Sequence, residues 1–153
     1  MSQVEQRLND LGLHLEPPPQ AAGNYLPFRI SGNQLFLSGV LPVHGGSLTH
    51  TGKVGAGQTP ESGYEAARNC VLVALANAKA ALGSLDRIRQ FLLVSGYVNG
   101  VDGFADSPKV INGASDLLVE VFGDTGRHAR AAVAVAGLPA DATVELQITL
   151  EFE

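Results

Sequence analysis

The stretch Thr143-Val144-Glu145-Leu146-Gln147-Ile148-Thr149-Leu150-Glu151-Phe152-Glu153 alternates polar and apolar residues without a break. Successive side chains of a β-strand point to opposite faces. Val144, Leu146, Ile148, Leu150 and Phe152 therefore line one face, and Thr143, Glu145, Gln147, Thr149, Glu151 and Glu153 line the other. A strand this long is unusual in a chain of 153 residues, because most strands run to about five or six. One face suits a core. The other must meet water, a polar site or a partner subunit.

Working back along the chain, Arg130 to Ala136 reads as a strand joined to the last one by Gly137-Leu138-Pro139-Ala140-Asp141. Arg130, Ala132 and Ala134 share one of its faces; Ala131, Val133 and Val135 share the other. Ile88 to Val98, dense in apolar residues from Phe91 to Val94, reads as a strand covered on both faces. Phe28-Arg29-Ile30 and Leu35-Phe36-Leu37-Ser38 read as two short strands, with hairpin chemistry at Ser31-Gly32-Asn33-Gln34.

The clearest helix opens at Thr59-Pro60-Glu61. Thr59 suits the N-cap, Pro60 the first helical position and Glu61 the positive helix end. It runs to Leu82, with Gly83 just past its end, and one broad apolar stripe predicts that it lies on a sheet or another helix. Pro108 begins a second helix, about 109–122, which Gly123 ends. Val4, Leu8 and Leu11 mark a short helix over residues 2–12, and Pro17-Pro18-Pro19 makes residues 13–23 an arm over the surface. Residues 42–58 read as loop. The order helix, β, β, α, β, α, β, β predicts an α+β sheet with helices on one face, in a single domain.

Composition narrows the function. The net charge is −5 and the pI about 5.3, so bulk attraction to nucleic acid is not expected. The one cysteine, Cys70, excludes an intramolecular disulfide and reads as an inert core thiol. The N-terminal residues lack the apolar and small-residue pattern of a signal peptide, and no stretch reaches the roughly 20 apolar residues that span a bilayer. The expected location is the cytoplasm, with no membrane partner.

Several chemistries find no motif. His14, His44, His50 and His128 lie in separate segments without ligand spacing, so no metal site is expected. There is no phosphate-binding or dinucleotide glycine pattern, and Gly45-Gly46 reads as a turn. Ser38 stands in Leu-Ser-Gly-Val, which is no nucleophile elbow. What remains is Arg130, whose planar fork of five donors suits a carboxylate held by two bonds. It reads either as the anion-binding centre of a small-molecule site or as a surface arginine paired with Asp124 or Glu145. Tyr25 reads as a packing tyrosine, Ser38 as a local backbone partner, and His128 as a loop histidine. Asn112, before Gly113 in a helical run, marks either a kink or a site.

Leu37-Ser38-Gly39, Asn112-Gly113-Ala114-Ser115-Asp116, Arg130-Ala131-Ala132-Val133, Gly137-Leu138-Pro139 and Val144-Glu145-Leu146 together resemble the RidA/YjgF family of reactive intermediate deaminases, also described as endoribonuclease-like. The resemblance runs from about residue 23 to the last residue. Details such as Gly126-Arg127-His128-Ala129-Arg130 are similar to a longer subgroup with an N-terminal extension like residues 1–22.

The resemblance implies a chorismate-mutase-like mixed sheet with two helices on one face, in a homotrimer with its sites between subunits. It implies that Arg130 binds a substrate carboxylate and Glu145 holds the attacking water. Tyr25, Ser38, Gly39 and Asn112 would line the pocket, without metal or cofactor. The implied reaction is hydrolysis of 2-imino or enamine acids. The rival readings are a carboxylate-binding module without turnover and an endoribonuclease. Two departures stand out: Ala132 replaces a cysteine common in the family, and the helix between Asn112 and Arg130 is lengthened.

Overall fold

The helices and long strands expected from the sequence recur, most with ends shifted by one or two residues, in the computed structural model, which describes residues 2–153. Its helices are α1 (Gln3–Asp10), α2 (Pro60–Leu82) and α3 (Ser107–Phe122). Its strands are β1 (Phe28–Ser31), β2 (Gln34–Leu37), β3 (Val43–His44), β4 (Ser47–Leu48), β5 (Ile88–Asn99), β6 (Ala129–Val135) and β7 (Val144–Phe152). Five strands form one sheet in the order β1-β2-β7-β5-β6. Only β5 and β6 pair in parallel; the other ladders are antiparallel. A parallel pair needs a crossover connection, and α3 supplies it.

α2 begins as the sequence predicts. Thr59 and Ser62 exchange side-chain and backbone bonds across its first turn, and Gly83 at φ 81° ends it in a conformation a side chain resists. α2 and α3 cover one face of the sheet. Leu35, Leu37, Val94, Val98, Leu146, Ile148 and Leu150 meet Ala67, Val71, Ile111 and Leu118 in one apolar core, which Val4 and Leu8 of α1 join.

Three expectations change. β5 is covered on one face only: Leu93 is 45% exposed, because both long helices lie on the opposite side. A dense apolar run does not reveal which of its side chains find cover. Residues 42–58 are not wholly loop, since β3 and β4 form a small ladder around the Gly45-Gly46 turn. Leu11 is the exposed residue closing α1 rather than part of its buried stripe.

The glycine of Asn112-Gly113 is explained by packing. A Cβ on Gly113 would stand 2.1 Å from the Tyr64 carbonyl oxygen, so α2 and α3 cross backbone to backbone there. α3 passes this point without a break, so Asn112-Gly113 marks a helix crossing rather than a kink.

Candidate functional site

Neighbouring strands fix which way each candidate points. Ala132 pairs with Gly96, and Gly96 pairs with buried Leu146. A Cβ on Gly96 would strike Ile111 of α3, so this row faces the helices. Arg130, two residues from Ala132, faces them too. Glu145, adjacent to Leu146, faces the open side in a row with Tyr97 and Val133. Within one chain, Arg130 and Glu145 therefore lie on opposite faces of the sheet. Two strand spacings and three residue rises place their backbones about 14 Å apart.

Each has its own surroundings. The Arg130 guanidinium donates from Nη1 to Ser115 Oγ at 3.1 Å and from Nη2 to the Pro108 carbonyl oxygen at 3.3 Å. No carboxylate among the described residues forms an ion pair with it; Asp124 is paired instead with Arg127. This removes the surface-pair reading of Arg130. His128 stands beside the same serine, with Nε2 2.8 Å from Ser115 Oγ and Nδ1 2.7 Å from the Gly126 carbonyl oxygen. Burial, opposed by the Gly126 bond and aided by the Arg130 charge, holds the His128 imidazole below its usual range. Asn112 is exposed on α3, one turn before Ser115.

The second cluster lies toward the β1–β2 end of the sheet. Tyr25, Ser38, Gly39 and buried Asn77 line a cleft of about 160 Å³ between the arm and β2. Tyr25 is 53% exposed, and its hydroxyl accepts from the Ala22 N–H at 3.3 Å. Ser38 donates to the Leu26 carbonyl oxygen at 2.6 Å, the local backbone role expected of it. Glu145 Oε2 would be 2.5 Å from a Cβ at Gly39, so a side chain there would push the carboxylate out of its present position. Burial raises the Glu145 carboxyl above its ordinary range, which moves it towards the task of a general base.

The structure thus brings Tyr25, Ser38 and Gly39 to one cleft, with the Glu145 carboxylate against Gly39, and sets Arg130 and Asn112 apart from them. The sequence reading missed Ser115 as a partner of Arg130 and His128. The signal available was their shared place in the two family-like segments. Cys70 is fully buried and its thiol is pushed well up by burial, with the Glu145 charge adding to it; it is inert as expected. Among the described residues no group of three or more histidine, cysteine and acidic side chains is placed to hold a metal ion, and no helix is long and apolar enough to cross a membrane.

The Glu145 shift carries a stability consequence. A carboxyl whose folded pKa lies above its unfolded value favours the fold when protonated. That contribution is lost as pH rises through the folded pKa. Glu145→Gln is therefore expected to melt increasingly higher than wild type as pH rises from about 4 to 7. Thermal melts of both proteins at the two pH values check this.

A profile of the family described as "YjgF/chorismate mutase-like, putative endoribonuclease" matches residues 5–150. Protein TCP17 of Trypanosoma cruzi is 42% identical over 97% of this chain and 93% of its own. A solved Agrobacterium tumefaciens protein of unknown function is 43% identical, with a TM-score of 0.93 over 99% of this chain and 93% of its own. A Shewanella oneidensis structure carrying the endoribonuclease description is 38% identical, with a TM-score of 0.95 over 99% of this chain and all of its own. Escherichia coli TdcF, solved with bound serine, shares the fold alone, at 19% identity and a TM-score of 0.65 over 90% of this chain and 94% of its own.

Proposed function

The chain belongs to the YjgF/chorismate-mutase-like family, and from that premise we propose that it hydrolyses reactive 2-imino or enamine acids to 2-oxo acids and ammonia. The observation that carries the reading is the guanidinium of Arg130. It has five N–H donors, its bonds to Ser115 and Pro108 go to neutral oxygens, and no carboxylate among the described residues pairs with it. A substrate carboxylate would be the missing partner. Serine, bound in TdcF, is itself a small carboxylate.

The active unit in this reading is a homotrimer. Because Arg130 and Glu145 face opposite sides of one sheet, a site that uses both takes Arg130 from one copy and Glu145 from the next. Arg130 orients the substrate. Glu145 accepts a proton as water adds to the imine carbon. The nitrogen gains protons, the C–N bond of the carbinolamine breaks, and ammonia leaves as the 2-oxo acid forms. The imine is already electrophilic, so orientation and one base suffice. No metal or cofactor takes part in this scheme.

The test generates 2-iminopropanoate in solution and follows its decay with wild type, with Arg130→Ala and without protein. Faster decay with wild type alone is expected. Equal decay in all three would overturn the reading. Thermal stabilisation by 2-oxobutanoate without any turnover would instead identify a binding module in the same cleft. RNA cleavage lost in Arg130→Ala would favour the endoribonuclease description, against the chain's net charge of −5.

A further inference from the structure

Ser115, His128 and Arg130 come from α3, the turn after it and β6, and hydrogen-bond logic gives each atom of their chain one role. Arginine only donates, so Ser115 Oγ accepts from Arg130 Nη1 at 3.1 Å. The Gly126 carbonyl oxygen only accepts, so the hydrogen lies on His128 Nδ1, 2.7 Å away. A neutral ring protonated at Nδ1 has a bare Nε2. Nε2 then accepts the Ser115 hydroxyl proton across 2.8 Å. The lowered imidazole pKa agrees with the neutral form. The chain runs one way: Arg130 to Ser115, Ser115 to His128, His128 to Gly126.

Its far end is anchored in backbone. A Cβ on Gly126 would lie 2.2 Å from the Leu118 carbonyl oxygen. The turn therefore rests directly on α3, and the Gly126 carbonyl is fixed relative to the helix that carries Ser115. Aligned hydrogen bonds of this kind also strengthen one another.

We infer that Ser115 and His128 are positioning residues that hold the Arg130 guanidinium in the orientation in which it receives a carboxylate. This rests on the reading of Arg130 as the carboxylate holder. With one N–H directed to Ser115 and one to Pro108, three of the five donors stay uncommitted. Losing the chain lets the fork rotate. A planar two-oxygen ligand suffers from that before and during reaction alike, so KM rises while kcat stays near wild type.

The experiment uses the full chain with Ser115→Ala, Ser115→Thr, His128→Phe and Arg130→Ala. The dissociation constant of 2-oxobutanoate is measured by calorimetry, and KM and kcat with 2-iminopropanoate. Ser115→Ala and His128→Phe are expected to weaken binding about tenfold and raise KM equally, with kcat within about twofold, while Ser115→Thr, which keeps the hydroxyl, behaves as wild type. Binding unchanged in folded Ser115→Ala, but lost in Arg130→Ala, overturns the positioning role and leaves the carboxylate reading standing. Equal losses in Ser115→Ala and Ser115→Thr also overturn it, since packing alone would then be at work. Binding that Arg130→Ala leaves untouched overturns both. Nitrogen NMR of the wild-type His128 ring tests the chain without ligand or variant: hydrogen on Nδ1 is expected, and hydrogen on Nε2 overturns the assigned direction.

Discussion

Arg130→Ala and Glu145→Gln, each nearly without turnover alone, are expected to recover about a third of wild-type activity in trimers that contain both chains. Alone, loss of the charge clamp or the base should lower kcat/KM by about 100-fold or more. The recovery follows from the sheet. Arg130 sits in the row that faces α3, and Glu145 in the row that faces away. No side-chain rotation brings them together through the sheet. In a closed ring of identical head-to-tail contacts, every site takes one residue from each neighbour. When an Arg130→Ala chain supplies Glu145 and a Glu145→Gln chain supplies Arg130, the site is whole. A ring of three that contains both chains has that pairing at about one site in three, whichever chain is in the majority. The two chains would be co-expressed with different affinity tags, and oligomers carrying both tags assayed for 2-iminopropanoate hydrolysis. Doubly tagged oligomers as inactive as either parent would sink the shared-site arrangement.

The same sheet shows where sequence reasoning succeeds and where it stops. Thr143 to Glu153 alternates large apolar and polar residues, so its core face was legible; even Thr143, buried at the strand's start, keeps a polar bond to the Gly52 carbonyl oxygen. Thr59, Pro60 and Gly83 are local signals, and they placed both ends of α2. β6 defeats the same logic. Its more apolar face carries Val133 and Val135, yet Val133 is 46% exposed and the alanine face meets the core. The reason is room: Gly96 lies directly under Ile111, and only small side chains fit beside them. Alternation sorts the residues of one strand into two faces. It does not say which face of β6 matches which face of β7, and that match decides whether Arg130 and Glu145 can meet. Ser115 and His128 were equally hidden, because their contact depends on how the crossover returns from α3 to β6.

Gly113→Val should destabilise the protein by about 1–3 kcal/mol or more, the usual cost of forcing atoms into a packed interior. For a chain of this size that lowers Tm by roughly 2–12 °C. The position offers no escape. Its nearest neighbour is the Tyr64 carbonyl oxygen, 2.1 Å from a Cβ, with the Tyr64 carbonyl carbon at 2.8 Å and Cα at 3.1 Å. These are backbone atoms of α2, which no rotamer change removes. The two helices must separate, and α3 carries Ser115 and Pro108, both partners of Arg130. A loss of carboxylate binding should therefore accompany the loss of stability. Gly137→Ala is the control, because nothing lies within 4 Å of a Cβ there and its backbone is not in the left-handed region. Asn112→Ala is the second control: its side chain is exposed one residue earlier on the same helix, so its melt should match wild type or rise slightly with the better helix former. Thermal melts of the three variants separate the readings of Asn112-Gly113. If Gly113→Val melts like wild type, the close crossing of α2 and α3 is not what requires glycine. If it falls while both controls hold, the glycine serves the crossing, and a parallel loss of carboxylate binding ties the orientation of Arg130 to the packing of α2 on α3.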